Sequence, residues 1–285
     1  MKLFRHGIKG QEQPGILDAQ GLRRDLSGVI GDIDPQLLAS GFAPLRQVNP
    51  AALPAVPAAA RLAEPVARVG KFVCIGLNYR DHAAEANMKI PLEPIIFMKA
   101  TSAIMGPNDD VVMPPHSRKS DWEVELGIVI GREARYVPLE QALAHVAGVC
   151  VCNDLSERHF QTERGGQWDK GKGCDTFGPF GPYLVTLDEA GDLDALHLWL
   201  NVNGERMQNG NTRDMIFNVP FLVHYVSQFM SLQPGDILST GTPAGVGLGR
   251  SPPVFLQEGD EIHLGIDGLG EQRQKVRRWQ DQRRT

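Results

Sequence analysis

Glu123 and Glu125 have the types and spacing that most directly suggest chemistry. They sit in an apolar stretch where Trp122, Val124, Leu126, Ile128 and Ile130 alternate with other residues. Positions two apart on a strand point the same way, so both carboxylates should project from the face opposite the apolar set. Like charges held side by side repel unless neutralised, and a hard divalent cation neutralises them through oxygen ligands. Two solvated acids on an exposed strand face are the plain alternative. Asp154 offers a third carboxylate at the end of the apolar run 148–152. Its other reading is a cap for a helix starting at Leu155. Spacing alone does not bring Asp154 beside Glu123.

His82 and Glu85 stand at i and i+3 on a predicted helix over 81–87, where their side chains can touch. A carboxylate beside an imidazole orients it and raises its basicity, which suits a general base for water. An ordinary surface ion pair is the alternative. Lys172 lies between Gly171 and Gly173 in what reads as a glycine-rich loop. Such a loop can hold an ammonium against a developing oxyanion, or simply carry a solvated lysine. The stretch 241–247 is also glycine-rich, but it lacks the ending of a phosphate loop and the order of a dinucleotide site. It reads equally as a plain turn or as a tight loop bringing Thr242 near a ligand.

These residues need a scaffold, and composition limits which. The 285 residues carry 29 Lys+Arg against 34 Asp+Glu, a net charge of -5. That balance argues against nucleic acid, which needs clustered basic charge. No apolar run approaches the roughly 18 residues of a membrane span. The charged start has no apolar signal core, so a cytoplasmic protein is expected. None of the four cysteines forms C-x-x-C, and Cys150 and Cys152 should share one strand face as buried thiols. With 31 Gly and 20 Pro, the chain is too turn-rich for a helical bundle and fits a sheet-based fold.

Apolar runs predict strands at 71–77, 122–130, 148–152, 196–202, 237–240 and 261–266, with a hairpin turn at Asn203-Gly204. Helical spacing falls at 34–39, 81–87, 139–146 and 219–230. The Ala- and Pro-rich stretch 51–65 reads as a linker or surface crossing. We expect a small N-terminal domain over 1–68 and a metal-dependent catalytic domain over 69–285.

Several segments together resemble the fumarylacetoacetate hydrolase family. They are Gly76 to Glu85, Phe97-Met98-Lys99, Glu123-Val124-Glu125-Leu126, Asn153 to Arg158 with Gln161, Lys172 to Pro182, and Ser239 to Gly245. They run in the family's order over about 70–270. The resemblance implies an α+β, mainly β fold: a mixed β-roll or sandwich catalytic domain behind a small N-terminal domain. It implies a divalent cation on Glu123, Glu125 and Asp154, magnesium first, with manganese or calcium as alternatives. His82 and Glu85 would form the base dyad on a lid segment, and Lys172 would stabilise the oxyanion or enolate. Lys99, Arg158, Gln161, Thr176 and Thr242 would contact substrate. A small 2-oxo acid would be the substrate, the assembly a homodimer or larger homo-oligomer, with no nucleic-acid or membrane partner. The N-terminal pieces Met1-Lys2-Leu3, Gly10-Gln11-Glu12, Pro14-Gly15 and Arg24 to Gly28 resemble a subgroup that includes 2,4-diketo-3-deoxy-L-rhamnonate and L-fuconate hydrolases. Ureidoglycolate lyase is a name that subgroup also carries. The implied reaction is hydrolysis of a C–C bond to pyruvate and lactate. Oxaloacetate decarboxylation, dienedioate isomerisation, fumarylpyruvate hydrolysis and ureidoglycolate cleavage are alternatives.

Overall fold

The alternation at 122–130 folds as a strand buried at every position, Val124–Ile130. Its two faces feed two cores. Trp122, Val124, Leu126, Ile128 and Ile130 join one apolar cluster, and Val129 joins a second that holds Cys74, Cys150 and Cys152. Burial on both faces suits the branched side chains here. Gly127 is the gap between the carboxylates and Val129 on the second face. A Cβ there would lie 2.5 Å from Cys152 Sγ and 2.8 Å from Cys150 Sγ.

The computed structural model describes residues 1–280. Val124–Ile130 lies inside an 11-stranded sheet, flanked by Val146–Asn153 and Ile237–Ser239. Phe72–Gly76 and then Ile95–Lys99 follow beyond Ile237–Ser239. A five-stranded sheet runs Glu205–Asn211, His197–Val202, Glu261–Ile266, Gly270–Arg278, Val111–Met113. Leu198, Leu200, Ile262 and Leu264 from this sheet share the first cluster with Val124 and Leu126, so the two sheets pack over one core. The fold is thus α+β and mainly β, as expected.

Asp34 caps Pro35–Ala39 by accepting from Leu37 N–H at 2.9 Å. Asn218 caps Val219–Ser227, which buries Val219, Leu222, Val223 and Val226. That helix stops before the expected 230, and the segment expected as a helix over 139–146 is a 3₁₀ stretch, Leu139–His145. Two strands unforeseen in sequence, Gly178–Thr186 and Gly270–Arg278, are the longest in the fold. The N-terminal strands Lys2–His6, Gln13–Leu17 and Arg23–Asp25 extend the large sheet from Gly178–Thr186. Within the linker-like stretch, Leu62–Ala63 pairs with Lys2–His6. Among the described residues, no helix is long and apolar enough to cross a membrane.

Candidate active site

Strand register supplies what spacing could not. Val124 pairs with Asn153 and Glu125 with Cys152, so Asp154 arrives beside Glu123 and donates its N–H to Glu123 O at 2.9 Å. Ligand oxygens of Glu123, Glu125 and Asp154 lie within 4.8 Å of one another, and all three residues are buried. Asp154 therefore caps no helix; Glu157 caps the helix Arg158–Thr162.

Three cations press on these acids. Lys172 Nζ donates to Glu123 Oε2 at 2.7 Å and to Asp154 Oδ2 at 2.6 Å. Lys99 Nζ lies 2.6 Å from Asp154 Oδ1 and donates to the carbonyls of Leu155 and Lys172. Arg158 holds Asp121 Oδ2 at 2.8 Å through Nε and reaches Glu123 Oε1 at 2.6 Å. Burial would raise the Glu123 pKa, but Lys172 and Arg158 outweigh it and hold the carboxyl at about 2. Burial pushes the Glu125 carboxyl well up, and the charges of Asp154 and Glu123 add to that push. Ser239 Oγ and Gly241 N–H donate to Glu125 Oε2 at 2.6 and 2.9 Å. Burial disfavours the charged Lys172 ammonium, yet Asp154 and Glu123 more than restore it and raise its pKa.

The cluster fits a divalent cation on two observations. Its donors are hard oxygens from three converging carboxylates. Asp154 Oδ1 accepts no hydrogen bond in good alignment, although it is buried.

The helix Arg80–Glu85 brings the His82–Glu85 pair to the same place. His82 Nδ1 and Glu85 Oε2 are 3.1 Å apart, and Gly245 N–H donates to Glu85 Oε1 at 2.9 Å. Among the described residues, Nε2 has no protein hydrogen-bond partner, and His82 lines a cavity of about 350 Å³. Glu85, Glu123, Glu125, Arg158, Gln161, Lys172 and Thr242 line it too. The stretch 241–248 proves to be a carboxylate-holding loop. Its N–H groups serve Glu125 from Gly241, Glu85 from Gly245, and Asp121 from Gly247 and Leu248.

A family model described as fumarylacetoacetate (FAA) hydrolase C-terminal matches residues 71–277. The chain belongs to the fumarylacetoacetate hydrolase family. A Burkholderia cenocepacia protein with a provisional hydrolase name is 57% identical over 279 residues, covering 97% of this chain and 99% of that protein. The fumarylacetoacetate hydrolase of Exiguobacterium antarcticum shares 36% identity with a TM-score of 0.88, covering 98% of this chain and all of that one. Maleylpyruvate hydrolase from Sphingobium sp. SYK-6, solved with manganese(II) and pyruvate, shares 32% identity with a TM-score of 0.82 and covers the same shares.

For a member of this family, several residues stand elsewhere than the sequence suggested. Lys172 is not in a loop; it ends the single-turn helix Asp169–Lys172. Lys99 is buried behind Asp154 and does not line the cavity. Thr176 is also outside the lining, and its hydroxyl accepts from Val112 N–H at 2.8 Å. The Thr242 hydroxyl does line it, but donates to Val124 O and accepts from Gln208. Asp121 escaped the sequence reading, although Asp121, Glu123 and Glu125 form an alternating acidic triple. Trp168, Met88 and Leu248 line the cavity and carried no signal.

Proposed function

We propose that the chain is a metal-dependent hydrolase that cleaves a C–C bond of a 2,4-dioxo acid, giving pyruvate and a smaller carboxylic acid. One observation carries this reading. Glu123 and Glu125 of the three-carboxylate cluster line the same cavity as the His82–Glu85 pair, so a cation site and a base would share one substrate. Glu123, Glu125 and Asp154 would hold the cation, magnesium or manganese. When bound, it supplies Lewis-acid stabilisation of negative charge on the substrate's 2-oxo and carboxylate oxygens.

The chain's own residues supply the proton chemistry. Glu85 engages His82 Nδ1 and leaves Nε2 without a protein partner among the described residues. His82 Nε2 takes a proton from water as its oxygen bonds to the distal carbonyl carbon. The C3–C4 bond then breaks, its electron pair stays on the pyruvate half, and the proton passes from His82 to C3. The Lys172 ammonium, fixed against Glu123 and Asp154 and lining the cavity, would stabilise that charge.

The same pair could shuttle a proton without water attack. That supports dienedioate isomerisation or oxaloacetate decarboxylation as a second reading, with fumarylpyruvate hydrolysis and ureidoglycolate cleavage further from it. The N-terminal motifs support 2,4-diketo-3-deoxy-L-fuconate or -rhamnonate as substrate, with lactate as second product. They accompany a domain reading of 1–68 and 69–285. Exposed Tyr136, Leu139, Leu143 and Phe229 support a homodimer or larger homo-oligomer, which light scattering would test.

Pyruvate release from a panel of 2,4-dioxo acids, oxaloacetate and ureidoglycolate decides the reaction. EDTA should abolish release, and magnesium or manganese should restore it. Full activity in verified metal-free protein would end the metal reading.

A further inference from the structure

The strand that carries Glu123 and Glu125 outruns one of its neighbours. Ile237–Ser239 pairs with it from Val129 to Gly127, and Thr240 N–H still donates to Leu126 O at 3.0 Å. Gly241, with φ of 94°, then turns the chain away. Backbone groups two residues apart in a strand face the same side, so Val124 presents its N–H and C=O to the gap beyond Thr240. Val124 is fully buried, and its backbone groups need partners.

Two side chains supply them. Val124 N–H donates to Gln208 Oε1 at 2.9 Å, and Thr242 Oγ1 donates to Val124 O at 2.9 Å. Gln208 Nε2 closes the ring, donating to Thr242 Oγ1 at 2.7 Å and to Pro243 O at 2.9 Å. We propose that Gln208 is a positioning residue for the cation site. Its amide stands in for the missing strand and fixes the backbone between Glu123 and Glu125. This rests on the metal reading above.

Gln208 comes from the other sheet, on Glu205–Asn211, where it pairs with Leu200. It is fully buried, does not line the cavity and is not one of the three clustered carboxylates. Any effect on the cation would therefore pass through Val124 and Thr242. The chemistry selects an amide. Val124 N–H only donates and Pro243 O only accepts, so one side chain must offer an acceptor to the first and a donor to the second. Packing holds the parts together. A Cβ at Gly210 would lie 2.4 Å from Pro243 Cβ, so the loop lies directly on the strand that carries Gln208.

The two carboxylates move with the backbone they hang from, and cations differ in how much movement they accept. Magnesium demands near-octahedral oxygen geometry at about 2.0–2.1 Å, whereas calcium accepts irregular geometry at about 2.3–2.6 Å. A loosened Val124 should therefore cost magnesium more than calcium.

Calorimetric titration of magnesium, and separately of calcium, into the EDTA-treated full chain tests this without turnover. Gln208→Met keeps the length and removes both polar groups. It should weaken magnesium binding about tenfold or more, as loss of a group that orients a metal ligand typically does, and calcium binding less. Thr242→Val opens the same ring and should shift the magnesium-to-calcium ratio the same way. Thr242→Ser keeps the hydroxyl and should stay close to wild type. Thermal melting without metal separates folding from positioning. A purely structural Gln208 would lower the melting temperature and leave both dissociation constants of the folded protein unchanged. That result in Gln208→Met overturns the proposal; if Gln208→Met does not fold, unchanged constants in Thr242→Val overturn it instead. If the wild type binds neither cation, the metal reading itself fails and takes this inference with it.

Discussion

Lys99 and Lys172 bring the same charge to the same acidic cluster, but only Lys172 lines the cavity. The Lys99 ammonium is closed in by Asp154 and by the carbonyls of Leu155 and Lys172 at 2.9 and 2.7 Å. It neutralises Asp154 from behind, so any effect on substrate would pass through Asp154. Lys99→Met should strip Asp154 Oδ1 of its cation, leaving only Lys172 on Oδ2, and lower stability by about 3–5 kcal/mol, read by urea unfolding. A loss of activity at unchanged stability would instead return Lys99 to the substrate. His82 predicts the opposite pattern. It touches Glu85 and the cavity but not the three carboxylates, so His82→Ala should leave metal binding by calorimetry unchanged while hydrolysis falls by about 10² or more. Wild-type hydrolysis in that variant would remove His82 from the mechanism.

At the scale of elements, the loop after Ile237–Ser239 joins the two halves of the site. It holds Glu125 through Gly241 and the His82–Glu85 pair through Gly245. Gly245 has φ of 106°, and a Cβ there would sit 2.0 Å from Met207 O, so no side chain fits. Gly245→Ala should cost about 1–3 kcal/mol of strain. It should also release Glu85, lowering kcat more than substrate affinity; unchanged kinetics would show that the His82–Glu85 pair does not depend on this N–H. Elements also decided what was legible. The alternation around Glu123 and Glu125 is local, so it was readable, as were the i, i+3 dyad and the Asn203-Gly204 turn. Asp154 meets Glu123 only through the pairing of Val146–Asn153 with Val124–Ile130, which no local pattern encodes. Gly270–Arg278 hid because it turns Gln272 and Gln274 inward, where they bond to Val151, Gly181 and Pro107 carbonyls. Gly178–Thr186 hid behind its glycines and prolines. Lys172 read as a loop residue because its flanking glycines mask a single helical turn.

At the scale of the molecule, the division expected near residue 68 meets a sheet that runs across it. Leu3 pairs with Leu184, and Leu3, Ile16, Leu26 and Ile33 are buried in one cluster with Phe72, Cys150 and Phe180. Arg61 clamps the segment to Asp109, with Nη2 2.6 Å from Oδ2, and Arg5 binds Asp32 and Glu64 nearby. The Asp109 carboxyl resists protonation: burial would raise its pKa, but the Arg61 hydrogen bond and charge lower it overall. A lowered folded-state pKa adds stability above the unfolded value, and this contribution fades as pH falls through the folded value. The segment 1–68 supplies sheet edge, core and staple together. A chain starting at Val69 would expose the Gly178–Thr186 edge and the apolar face under Leu3 and Ile16, an invitation to aggregate. It should lose cooperative thermal unfolding and bind a hydrophobic dye, while the full chain unfolds in one transition. If the shortened chain instead melts cooperatively within a few degrees of the full one, residues 69–285 hold their own core and 1–68 is an independent addition.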